Sequence, residues 1–337
     1  MATARRKLIQ LEATPYYHCT SRCVRRAFLC GNDPYTGQSF EHRREWVESW
    51  LLKLSQAFCI DVVSYAIMSN HYHVILHANI SEWEALTDDA VIDRYLRVHG
   101  KNPLMQRYRD GGGVTDAEEI EIKQTLSDWR DTLINISRFI GFMNERIARR
   151  GNEEDRCTGR FWEGRFHSQA LLDETALLQC MTYVDLNPIR AGMAETPEES
   201  EYTSVKHRLD RQKENRPDQL MAFLKPKQKP TSDPITDFTK KAVPDESHEV
   251  IPITFREYLD LLDWTGRIIR EDKTGAISKS APDILTRLGF NQNQWKTRLT
   301  TPDQWRLKAL GPTHLINDFA KSIGQSWIWK CPVPPDS

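Results

Sequence analysis

What this chain lacks narrows its possibilities first. No apolar run in its 337 residues approaches the roughly 20 needed to span a bilayer, which argues against a membrane-spanning helix. Met1 to Gln10 carries Arg5, Arg6 and Lys7 but no apolar core and no small-residue cleavage site, so a signal peptide is not expected there. The seven cysteines (Cys19, Cys23, Cys30, Cys59, Cys157, Cys180 and Cys331) contain no CxxC pair, and the close Cys19–Cys23 spacing has no second half. Reduced thiols in a cytosolic protein are therefore expected, rather than a disulfide framework or a structural zinc site. With 16 glycines and 17 prolines, the chain has no compositional mark of disorder throughout. It also has no excess of charge: 46 Lys and Arg against 47 Asp and Glu give a net charge of −1. That total argues against a nucleic-acid partner only if the charge is evenly spread, and it is not.

The first 30 residues hold six basic side chains (Arg5, Arg6, Lys7, Arg22, Arg25 and Arg26) against Glu12 alone. Pro15 to Arg22 is rich in β-formers and reads as a strand. Glu41 to Phe58 places Trp46, Val47, Trp50, Leu51, Leu54 and Phe58 at helical spacing. Ile60–Ile67 and Tyr72–Leu76, separated by Met68-Ser69-Asn70, read as a β-hairpin. Ser81 to Arg150 has helical period interrupted by Gly111-Gly112-Gly113, and reads as an insertion. A helix follows from Asp173, its expected N-cap, to Asn187, where Pro188 stops it. Glu214 to Ile253 is poor in large apolar residues and holds six prolines, which marks a linker. Thr254 to Trp329 regains apolar period and carries five of the ten tryptophans, so a separate small domain is expected there. No internal repeat is present.

Three features carry chemistry. His71 and His73 stand two apart on a strand and so share a face, with Tyr72, Val74 and Leu76 on the other. Two adjacent imidazoles form half a metal site, or an ordinary pair of cleft histidines. Gln179, Tyr183 and Asn187 recur every four residues along one helix face, opposite Leu177, Leu178, Cys180, Met181 and Val184. That row is either a nucleophile beside a polar ligand or half-buried packing. Arg160 and Arg165 flank Trp162 in a loop, which suits either a phosphate backbone with unstacked bases or a structural turn. His77 shares the face of His71 and His73, as a neighbour of the site or as a packed strand end.

Together these features match one family in order and spacing. Tyr17-His18-Cys19-Thr20-Ser21-Arg22, Met68-Ser69-Asn70-His71-Tyr72-His73-Val74-Ile75-Leu76, Arg160-Phe161-Trp162-Glu163-Gly164-Arg165 and Tyr183-Val184-Asp185-Leu186-Asn187-Pro188-Ile189-Arg190-Ala191-Gly192 resemble the single-tyrosine HUH transposases. The REP-associated tyrosine transposases are the group most similar. The resemblance spans residues 10 to about 210, interrupted by the insertion. It implies an α+β fold, a ferredoxin-like antiparallel sheet flanked by helices, with a helical insertion and a small, mainly helical C-terminal domain. The expected boundaries are a catalytic domain over 1–212, with the insertion at about 81–150, a proline-rich linker over 213–253 and a C-terminal domain over 254–337. Tyr72 departs from the family, which usually has a smaller apolar residue there.

The resemblance further implies cleavage and joining of single-stranded DNA beside hairpin or repeat elements. Tyr183 matches the nucleophile, His71 and His73 the metal-binding pair, and Asn187 the third polar ligand. Arg22, Arg25, Arg26, Arg160, Trp162, Arg165 and Arg190 are the candidate DNA contacts. A phenol ionises near pH 10, so it needs a nearby cation to act as a nucleophile at neutral pH. Mg²⁺ or Mn²⁺ on the ligand set would polarise the scissile phosphate, with Mn²⁺ at least as effective because imidazole is softer than Mg²⁺ prefers. The alternative is a non-catalytic, sequence-specific DNA-binding protein on the same scaffold. Residues Ser280 to Arg298 are laid out like a helix-turn-helix, or like an ordinary helical pair with a glycine cap. The expected location is cytoplasmic, in association with the nucleoid, and both monomer and homodimer fit.

Overall fold

The computed structural model describes residues 8–24, 29–33, 37–211, 220–224, 251–269, 295 and 307–329. Period-two alternation builds its centre. In β1 (Tyr16–Arg22), Tyr17, Cys19 and Ser21 are buried on one face, while Tyr16, His18, Thr20 and Arg22 share the other. Helix α1 (His42–Ser55) leads to β2 (Ile60–Ile67) and β3 (His71–Ala78), which form the expected hairpin with Ala66 opposite His73. β1 pairs antiparallel with β3, which sets Thr20 opposite His73 and Arg22 opposite His71.

Between this hairpin and the next strand lie α2 (Ile80–Glu84), α3 (Asp88–His99), α4 (Pro103–Arg109), α5 (Asp116–Leu133) and α6 (Ile136–Glu154). Their starts follow from sequence: Asn79, Thr87, Asn102, Thr115 and Asn135 each cap with a side-chain oxygen, and Thr115 with Glu118 forms a capping box. The insertion at 81–150 is helical, as its period indicates, but it divides in two. Val91, Ile92, Met105, Ile122, Leu126 and Trp129 of α3–α5 bury one another around a core of their own, beside Cys59. Phe139, Ile140, Met143 and Ile147 of α6 instead join Val47, Leu51 and Leu54 of α1 against Tyr17, Tyr72, Val74 and Leu76 of the sheet. Helix α6 therefore belongs to the central layer.

β4 (His167–Leu171) pairs antiparallel with β1, placing Gln169 opposite His18. Asp173 then caps α7 (Glu174–Asp185), its carboxylate accepting the Ala176 N–H at 2.7 Å. Helix α7 ends two residues before the expected Asn187. The chain restarts as α8 (Asn187–Arg190), where Pro188 stands in the first turn and its missing N–H is not needed. After α9 (Ser204–Asp210), β5 (Leu220–Met221) and β6 (Ile251–Thr254) pair antiparallel at the two ends of the proline-rich stretch. α10 (Phe255–Ile269) follows directly.

Helix α7 lies on the histidine face of the sheet. Leu177, Leu178, Met181 and Val184 pack with Val63, Ala66 and Ile75 below, and with Tyr258, Leu261, Leu262 and Trp295 from the C-terminal part. β7 (Ala309–Leu310) pairs parallel with β4, so the five-stranded sheet runs β2-β3-β1-β4-β7. α11 (Thr313–Ser322) sends Ile316 and Phe319 into the core beneath α1 and α6. The protein is thus a mixed α+β structure with helices on both faces of the sheet. The described residues of the part expected to stand as a separate domain from 254 onward share both of these cores. Only Trp295 of the helix-turn-helix reading lies within the described residues, where its indole N–H donates to Thr265 Oγ1 at 3.1 Å. The described cysteines form no disulfide, and no described helix is long and apolar enough to cross a membrane.

Candidate active site

The hairpin turn and strand alternation bring three imidazoles into one chain of contacts. His71 Nδ1 lies 2.6 Å from Asn70 Oδ1, and His71 Nε2 lies 3.1 Å from His73 Nε2. His73 Nδ1 in turn lies 2.9 Å from His18 Nε2 on the neighbouring strand. His18 and His73 are buried and His71 is half-buried. Gln169 stands opposite His18 across β1 and β4.

Burial holds these rings neutral. It pushes His18 down to about 3, with His167 acting in the same sense and Gln169 opposing. His71 is pushed down to about 4 by burial and then by the Arg22 guanidinium. His73 falls well below the ordinary histidine value through burial, then through His18, His71 and Arg22. Neutral imidazole is the form that coordinates a metal.

Above this row, α7 supplies Tyr183. Its ring stands edge-on to His73 at 90° with centroids 5.5 Å apart, and edge-on to His18 at 6.4 Å. The exposed Arg190, one turn past the helix end, lies with its guanidinium carbon 5.3 Å from the Tyr183 ring centroid. The structure therefore gathers His71, His73, Tyr183, Arg22 and Arg190 about one end of β1 and β3. Asn187 is buried at the start of α8, and its Nδ2 has no hydrogen-bond partner among the described residues. Gln179, one turn before Tyr183, is buried as well, because α7 is covered by the sheet on one side and α10 on the other.

Other sequence candidates lie elsewhere. Trp162 is only 9% exposed; its indole N–H donates to the Asn144 carbonyl at 2.9 Å, and its ring meets Tyr72 at 5.8 Å and Phe161 at 5.0 Å. It anchors its loop in the core, while Arg160 and Arg165 beside it are exposed. Tyr72 faces away from the histidines, donating to Asn144 Oδ1 at 2.7 Å. His77 sits four residues from His73, about 13 Å along the strand, where it pairs with Asp61 at 3.1 Å and stacks on Phe223. Arg25 and Arg26 lie outside the described residues. Sequence reasoning gave His18 and Gln169 no role; the signal for His18 is the alternation that puts it on the face of Thr20 and Arg22.

The histidine pair fits a divalent cation. Two nitrogens about 2.1 Å from one cation at near-right angles stand about 3 Å apart, and the two Nε2 atoms are 3.1 Å apart. Among the described residues no three His, Cys, Asp or Glu side chains surround one point. Further donors must come from an amide, a phenol or the substrate. The buried Asn187 leaves its Nδ2 without a hydrogen-bond partner among the described residues; that atom is an N–H donor, which suits a substrate oxygen and not a metal.

No family model and no curated protein matches this chain. Among solved structures, one of a REP-associated tyrosine transposase bound to a REP hairpin aligns with 63% of this chain and 87% of its own, at 11% identity and a TM-score of 0.37.

Proposed function

We propose that this protein is a metal-dependent enzyme that cleaves and rejoins single-stranded DNA through a covalent tyrosine link, in the manner of a transposase, on hairpin- or repeat-associated DNA. The observation that carries the reading is Tyr183 standing edge-on to His73, 5.5 Å between centroids, over a histidine pair spaced for one cation. We read the β1–α1–β2–β3–α6–β4 succession as the ferredoxin-like arrangement, with α7 added on the open face to deliver the nucleophile.

His71, His73 and Asn187 would hold Mg²⁺ or Mn²⁺, which supplies neutralisation of the scissile phosphate when bound. The chain's own residues do the rest. The Tyr183 oxygen attacks phosphorus; the bond from phosphorus to the 3′ oxygen breaks; the phenol gives up its proton and the departing 3′ oxygen gains one. The products are a 5′-phosphotyrosine and a free 3′-hydroxyl. Attack by another 3′-hydroxyl on the same linkage reverses these steps, rejoins strands and needs no nucleotide cofactor. Arg190 beside the phenol stabilises the negative charge that develops on its oxygen. Arg22 at the other end of the row, with exposed Arg160 and Arg165, supplies phosphate contacts that fix the strand without reading its sequence.

The test is incubation of the purified protein with a single-stranded hairpin oligonucleotide and Mn²⁺. A covalent protein–DNA adduct is expected, absent in Tyr183→Phe and in the His71→Ala, His73→Ala double variant. An adduct that persists in either variant overturns the assignment, and wild-type binding without any adduct supports the non-catalytic alternative.

A further inference from the structure

The metal-binding reading leaves one buried imidazole without a role. His18 lies on β1, outside the hairpin that carries His71 and His73, yet its Nε2 is 2.9 Å from His73 Nδ1 and its ring stacks on the His73 ring with centroids 5.1 Å apart at 15°. It is fully buried.

We propose that His18 is a positioning residue that sets the tautomer and the ring orientation of His73 as a cation ligand; this rests on the reading of the histidine pair given above. The direction of each hydrogen bond follows from the acceptor at the end of the chain. Asn70 Oδ1 can only accept, so His71 carries its proton on Nδ1 and its Nε2 is a bare lone pair. His73 Nε2 then donates to it, which leaves His73 Nδ1 as the acceptor of the His18 Nε2 proton. All three rings are neutral in this arrangement.

With a cation on the two Nε2 atoms, His73 must release Nε2 and carry its proton on Nδ1. The atom standing to receive that hydrogen bond is His18 Nε2, which then gives up its own proton to its Nδ1. Each ring keeps one proton throughout, so the change is a double tautomer shift with no net release. Ligating histidines elsewhere are held in this way by a group on the far nitrogen, and loss of that group weakens metal binding about 10–100-fold.

The experiment is titration of the full-length, metal-free protein with Mn²⁺ alone, following the free-ion signal by electron paramagnetic resonance. Wild type is expected to show one site that His71→Ala removes. His18→Ala weakens that site about 10–100-fold, and His18→Gln, which keeps a hydrogen-bonding group near His73 Nδ1, restores most of the affinity. A second measurement needs no variant: long-range proton–nitrogen spectra of histidine-labelled wild type, with Zn²⁺ as a diamagnetic probe, should move the His73 proton from Nε2 to Nδ1 on loading. Wild-type affinity in His18→Ala, or an unmoved His73 proton, overturns the role of His18 and leaves the metal reading standing. Wild type with no histidine-dependent Mn²⁺ site overturns both.

Discussion

Asp185→Asn should be among the most destabilising single changes in the protein. Asp185 closes α7 two residues after Tyr183 and is fully buried. One of its oxygens accepts from the Ser204 hydroxyl and, at 3.0 Å, from the Val205 N–H; the other accepts from the Tyr258 hydroxyl at 2.5 Å. The same carboxylate thus joins α7, the first turn of α9 and α10. Burial lifts its protonation point above the ordinary range, against the pull of Ser204, Tyr258 and the buried guanidinium of Arg208. An amide keeps the shape but turns a donor toward Tyr258 and removes the charge that offsets Arg208. Breaking one member of a buried charged set destabilises by about 3–5 kcal/mol, whereas Tyr258→Phe removes one hydrogen bond to that group, about 1.5–3 kcal/mol. Urea unfolding should show a lower midpoint at unchanged slope for both variants, with the larger shift in Asp185→Asn. The double variant should be less destabilised than the sum of the singles, because the two share one bond. An Asp185→Asn loss below about 1 kcal/mol, or additivity of the pair, would show that α10 is not tied to the tyrosine helix through this carboxylate.

Four further outcomes follow from the same architecture. Gly151→Ala places a Cβ 2.6 Å from the Phe161 ring, so the Phe161–Trp162 loop must shift; overpacking of this kind costs about 1–3 kcal/mol, and an unchanged melting temperature would refute it. Trp162→Phe should lower stability through the lost bond to Asn144, yet leave oligonucleotide affinity of the folded fraction unchanged. Arg160→Gln with Arg165→Gln should do the reverse, flattening the salt dependence of single-stranded DNA binding by about 0.7 for each phosphate no longer neutralised. Stability should also fall with acid. His18 and His71 titrate at about 3 and about 4 when folded and near 6.5 when unfolded, so between pH about 6.5 and 4 the unfolded chain takes up protons that the folded chain refuses. The Arg22 guanidinium against His71 and the His167 ring against His18 act in the same direction. His18→Gln should remove its share of that acid loss; a difference curve that is flat over this window would contradict the burial argument.

Much of the central layer was legible because local and global signals agree there. The β2–β3 hairpin shows in its β-formers and short turn, α7 in its Asp173 cap and apolar period, and α6 in a stripe with buried positions at 136, 139, 140, 143 and 147. Agreement failed where a signal reports what is buried but not against what. Glycines 111–113 mark a break inside a helical stretch, and both sides of it read alike. Nothing local says that Ile122 and Leu126 close on α3 while Phe139 and Met143 close on the sheet. The placement of the C-terminal part is not legible for the same reason: Leu261 and Leu262 of α10 have an apolar period that would serve a separate core equally well, and only long-range packing puts them on α7.

The site divides along the same line. His71 with His73, and Tyr183, are visible because each rests on the period of one element, two for the strand and 3.6 for the helix. The placement of Trp162 is not legible in sequence, because an aromatic between two arginines looks the same whether its ring is offered to a base or buried against Tyr72, as it is here; the flanking charges describe the loop surface and not the side chain within it. His18 stayed without a role because its meaning is set by strand order. A lone histidine at position 18 gains a partner only when β1 lies beside β3 with Thr20 opposite His73, a register that brings residues 55 apart to 2.9 Å. Polar groups that act through a partner on another strand carry no local period. They become readable once the sheet is known, as the approach of His18 to His73 does here.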